Sequence, residues 1–135
     1  MTIRPIQDGD YENILCKWWE DWGWTAPTKD FLPGTGFIVY DEETPVCAAF
    51  LYSSNSKVCW IEWLISNKQY RKKPNRSESI LFLLTFLCEL SKEHGFKYCV
   101  TMSNSKQLIQ TYESLGFVSD KGNSQTLILC QHLPQ

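Results

Sequence analysis

Asn104 to Phe117 reads NSKQLIQTYESLGF, and the reading of this stretch organises the rest of the chain. Asn104 or Ser105 has the side-chain oxygen that starts a helix, and Gly116 is the residue type that ends one. The strand-like run YCVTM (98–102) precedes it; FVSD, the turn KGNS and TLILCQHL follow as a terminal strand pair. Upstream, Asn75 and Glu78 have capping-box spacing for a helix that closes near Gly95. Before that helix come the basic run YRKKPNRSES (70–79) and KVCWIEWLIS (57–66), a strand-favouring run whose only acid is Glu62.

Further upstream, FIVY, the turn DEET and PVCAAFLY read as a hairpin, and TIRPI reads as a first strand. Between them, Asp8 stands as N-cap of a helix through Tyr11, Ile14, Leu15, Trp18 and Trp22 at helical spacing. The order is mixed α/β: a central sheet of about six to seven strands flanked by helices, with a largely antiparallel first half. Its 135 residues suit a single domain spanning 1–135.

The formal net charge is −2, so a nucleic-acid role would rest on the basic run alone, where Tyr70 is the only interleaved aromatic. Ile80 to Leu90 is the longest apolar stretch and is too short to span a bilayer; no charged leader opens the chain, and a cytoplasmic location is expected. Cys47, Cys59, Cys88, Cys99 and Cys130 sit in apolar runs without CxxC spacing and read as reduced core residues. His94 and His132 show no metal-ligand pattern. The pattern leaves a homodimer open.

The strand running into YRKKPNRSESILFLL, followed by NSKQLIQTYESLGF, resembles the GNAT-type N-acetyltransferase superfamily. That family's second segment reads approximately Asn, seven residues, Tyr-Glu-x-Leu-Gly-Phe, and Asn104, Tyr112, Glu113, Leu115, Gly116 and Phe117 fall in register. The resemblance implies a GNAT-like (acyl-CoA N-acyltransferase) fold, acetyl-CoA as cosubstrate, and an amine of a small molecule or protein as acceptor. The family's cofactor loop reads Arg or Gln, two residues, Gly, one residue, Gly or Ala. Arg71 aligns with its start, but Pro74 and Arg76 replace the small residues. Proline has no N–H to donate. The hydroxyl of Ser77 and the cations Arg71, Lys72, Lys73 and Arg76 are candidates to replace that contact on the cofactor phosphates, at a position where helix N-terminal amides favour an anion. A solvated basic loop is the alternative, and a catalytically inactive GNAT-like domain that binds CoA or a partner is the second functional reading.

By the same resemblance, Tyr112 protonates the departing thiolate, Asn104 bonds the cofactor or caps its helix, and main-chain groups of Leu64 and Ser66 pair with the pantetheine arm. Glu62 is the candidate base, or an exposed strand carboxylate; alternation puts it on one face with Val58, Trp60 and Leu64, where desolvation would raise its pKa. In WWEDWGW (18–24), Trp18 and Trp22 fit the core stripe. Trp19 and Trp24, with Glu20, Asp21 and Asp30 nearby, can pack or form an aromatic, acidic wall for a cationic acceptor.

Overall fold

The computed structural model describes residues 1–70, 74–122 and 127–131. Strands β2 (Gly36–Asp41), β3 (Thr44–Tyr52) and β4 (Val58–Ser66) form an antiparallel meander, and β1 (Thr2–Pro5) adds antiparallel to β2. Helix α2 (Asn75–Glu93) crosses over to β5 (Tyr98–Val100), which runs parallel to β4. The result is a mixed five-stranded sheet in sequential order, flanked by helices.

The class is the expected one, with fewer strands than six to seven. Phe117–Gly122 and Leu127–Gln131 carry no strand, and the rest of the expected terminal pair, residues 123–126 and 132–135, lies outside the described residues. Strand preference is realised through pairing and packing. Val118, Leu127, Ile128 and Leu129 have neither and are exposed, and Cys130 is exposed with them rather than in the core. The other apolar-run cysteines are buried or half-buried free thiols. Among the described residues no helix is long and apolar enough to cross a membrane.

Alternation along β3 sends Cys47, Ala49 and Leu51 to one face and Ala48 and Phe50 to the other, so the sheet carries a core on each side. On the first, Leu83, Leu84 and Leu87 of α2 and Tyr112 of α3 (Lys106–Ser114) pack with Val39, Cys59 and Ile61. On the second, Leu15, Trp18 and Trp19 pack with Ile38 and Ile65. Helix α1 (Cys16–Trp22) follows a single π turn, Tyr11–Leu15. The wider turn advances the apolar stripe by one position. Trp19 is thereby buried at 3% exposure beside Trp18, while Trp22 is left partly exposed.

Asp10, not Asp8, precedes the π turn, and its carboxylate is used for a tertiary contact. It accepts from the Gln7 N–H at 2.7 Å and from both terminal nitrogens of Arg4 at 2.7 and 3.1 Å; Arg4 also donates to the Tyr40 hydroxyl at 2.8 Å. One ion pair therefore ties β1, β2 and the first helix together.

The hydrogen bond from Arg4, helped by the Gln7 N–H, holds the Asp10 carboxyl below its ordinary range. The stabilisation is present above the unfolded carboxylate pKa of about 4 and is lost as pH falls through the lower folded value. Asp10→Asn should cost about 1–2 kcal/mol at pH 7 in urea unfolding, and the difference from the parent should shrink in acid.

Candidate functional site

β5 pairs with β4 only at Val58↔Tyr98, Cys59↔Cys99 and Trp60↔Val100, and the Thr101 hydroxyl extends the contact by one step, donating to the Ile61 carbonyl at 2.7 Å. The chain then turns away into α3. Among the described residues, Glu62 to Ser66 consequently has a strand neighbour on one side only, β3. This open half-edge of β4 is where the candidate catalytic residues lie.

The half-edge is irregular. Ala48 to Phe50 on β3 opposes Ile65 to Glu62 on β4, so β4 carries one extra residue, and Trp63 sits at φ 60° within it. A bulge of this kind re-aims the side chains around it. Glu62 lies opposite Phe50 and Trp63 packs with the α1-side core, so both are on that face, while Leu64 joins the α2-side core. The grouping of Glu62 with Leu64 that strict alternation implies is therefore corrected: the extra residue reverses the phase between them.

Glu62 is half-buried, and burial raises its pKa. Neither ion pair among the described residues, Arg4–Asp10 or Lys29–Glu12, includes it. Tyr112 packs in the core on the opposite face at 4% exposure, edge-on to Phe117 with ring centroids 5.1 Å apart. Burial pushes its phenol up to about 12; a hydrogen bond with Thr101 opposes the shift and the Glu62 charge adds to it. The two candidate proton-transfer groups thus sit on opposite faces of the open half-edge, near enough for one to feel the other.

At the far end of β4, α2 begins without a side-chain cap: the expected Asn75–Glu78 capping box does not form, and Pro74 takes the cap position. The first backbone bond into the helix runs from the Glu78 N–H to the Pro74 carbonyl at 3.1 Å, which leaves the amides of Asn75, Arg76 and Ser77 ahead of the ladder. Ser77 is exposed at this end. Arg71, Lys72 and Lys73 lie outside the described residues. Arg76 folds back, donating to the Ser66 hydroxyl at 2.7 Å, with its guanidinium 5.3 Å from the Trp22 ring centroid. The Trp22 indole N–H donates to the Ser66 carbonyl at 2.8 Å, and Lys68 stands over the same ring at 5.4 Å.

Of the two readings of Trp19 and Trp24, these contacts show packing. Trp19 is core, and Trp24, 55% exposed, stacks on Trp22 at 5.3 Å in a cluster that is cationic rather than acidic. Trp22, assigned to the core by periodicity, packs against the α1-side core and also meets Ser66 and Arg76; the sequence carries no sign of the π turn that precedes it. In α3, Ser105 is the N-cap and accepts from the Leu108 N–H at 3.3 Å, so the exposed Asn104 side chain is not the cap.

No family model matches the chain, and no curated protein does. Solved structures do. A GNAT family acetyltransferase from Streptococcus pneumoniae superposes with a TM-score of 0.68 at 16% identity, over 96% of this chain and 98% of that one. A GNAT family acetyltransferase from Staphylococcus aureus gives 0.61 at 18% identity over 94% and 98%. An aminoglycoside acetyltransferase from an uncultured soil metagenomic sample gives 0.67 at 12% identity over 96% of both chains. The chain has the fold these acetyltransferases share.

Because burial raises the Glu62 pKa, the native state binds its proton more tightly than the unfolded chain does, and stability falls as pH rises from the unfolded value through the folded one. Glu62→Gln removes that penalty. Thermal unfolding should show Glu62→Gln melting above the parent at pH 7, with the two converging below pH about 4.

Proposed function

We propose that the chain transfers an acetyl group from acetyl-CoA to an amine. The observation that carries this reading is the open half-edge of β4 with a half-buried carboxylate on one face and a buried phenol on the other. Bound acetyl-CoA would supply the activated acyl group as a thioester. The residues fit such a cosubstrate: amides ahead of the α2 ladder, the Ser77 hydroxyl and the Arg76 cation suit its phosphates, and the unpaired side of β4 at Leu64 suits an amide-bearing arm. Ser66 fits less well, since its carbonyl and hydroxyl already have partners. The exposed Asn104 remains a candidate for a further cosubstrate contact.

In this reading Glu62 accepts the proton that the amine nitrogen loses as it bonds the acetyl carbon. Desolvation suits the carboxylate to that task by strengthening it as a base. Tyr112 gives its proton to the sulfur as the carbon–sulfur bond breaks. A phenol pushed up to about 12 stays protonated and neutral at pH 7 and so holds the proton needed for that step. The burial of Tyr112 also favours the second reading, a GNAT-like domain that binds CoA or a macromolecular partner without turnover.

Titration calorimetry should detect acetyl-CoA binding, weakened by Arg76→Glu and more so at low salt; no binding by the parent protein would end the acetyl-CoA reading. Tyr112→Phe should bind acetyl-CoA as the parent does but lower kcat for thiol release about 10²-fold across an amine panel. Equal rates would remove Tyr112 from proton transfer, and binding without turnover of any amine would favour the second reading.

A further inference from the structure

The bulge in β4 sets Glu62 and Trp63 on the same face, and a short turn, Lys29–Phe31, packs against Trp63. Phe31 meets Trp63 edge-on with centroids 5.6 Å apart. The Tyr52 hydroxyl accepts from the Trp63 indole N–H at 3.0 Å and donates to the Phe31 carbonyl at 2.7 Å, so the three rings form one braced corner. Glu62 is close enough for its charge to raise the Tyr52 pKa. Phe31 is 44% exposed, and Trp63 and Tyr52 are partly so.

Among the described residues, cations stand over Tyr40, Trp22 and Tyr98 and over neither Phe31 nor Trp63. Glu62 belongs to neither described ion pair. A half-buried carboxylate on the sheet face that also carries these partly exposed rings, neither with a cation among the described residues, is complementary to an ammonium group carried on an apolar body. The ammonium offsets the carboxylate's desolvation, and the body covers the rings. The Tyr52 hydroxyl is already occupied as donor and acceptor, which leaves little for a hydroxyl-rich acceptor to bond.

We infer that Phe31, Trp63 and Tyr52, with Glu62, form the acceptor subsite, and that the acceptor is a primary amine on an aromatic or flat apolar body. Polyamines and anionic aromatic compounds are disfavoured. The inference rests on the acetyl-transfer reading and names the class of amine it uses.

The test titrates three probes in the presence of CoA: 2-phenylethylammonium, spermidine and phenylacetate. 2-Phenylethylammonium should bind at least about 10-fold more tightly than either of the others. Phe31→Ala should weaken it about 10-fold without changing acetyl-CoA affinity, and Phe31→Tyr should restore it. Phe31 is on an exposed turn held through its main-chain carbonyl, so these changes leave the core intact. Equal or tighter spermidine binding, or no effect of Phe31→Ala, overturns the subsite. The separate acetyl-CoA titration tells the two readings apart: intact cosubstrate binding without aromatic-amine preference refutes the subsite alone, and the converse refutes the transfer reading and with it the acceptor role, leaving an aromatic-amine site.

Discussion

Trp63 holds φ at 60°, a backbone state that costs a bulky residue about 1–3 kcal/mol and survives only where its surroundings over-determine it. Here they do. The indole is bonded to Tyr52 and set edge-on to Trp19, at 6.3 Å, and to Phe31. The extra residue it accommodates keeps Glu62 on the α1 face while Leu64 goes to the other, and the residues after it run along an edge that β5 does not cover. The placement of the carboxylate and that of the aromatic corner both follow from one bulge and the packing that secures it, beside an edge left open where β5 ends.

At the other end of β4, proline and arginine stand where glycine or another small residue would be in the resembled loop. Glycine there would allow close backbone approach; Pro74 gives up a donor, and Arg76 brings a charge and a long side chain. That side chain is braced by the Ser66 hydroxyl and the Trp22 face, which limits the freedom an arginine would otherwise lose on binding an anion. The same brace takes up Ser66, so side-chain rigidity is gained where main-chain capacity is given up.

The periodic signals were legible because they reflect burial. The meander, the crossover helix, the long strand with its single acid, and the ends of the two later helices at Gly95 and Gly116, both at positive φ, follow from local pattern and backbone sterics. The terminal strand pair was not, because apolar alternation reports a preference for a face and cannot supply one. Tyr112 and Glu62 could be picked out by residue type and register, but their placement on opposite faces could not.

Sequence by itself determined the element order from β1 to α3, since side-chain period and turn chemistry are local properties, whereas the division of the core between the two faces of the sheet came from the structure. Only the tertiary structure decided which aromatic residues lie beside Arg76 and which share a face with Glu62. A π turn of one extra residue buried Trp19 and turned Trp22 toward Arg76, and a one-residue bulge brought Trp63 beside Glu62. Each insertion shifts the phase of everything beyond it, and each is stabilised by contacts with residues distant in the chain. No local pattern records such a shift.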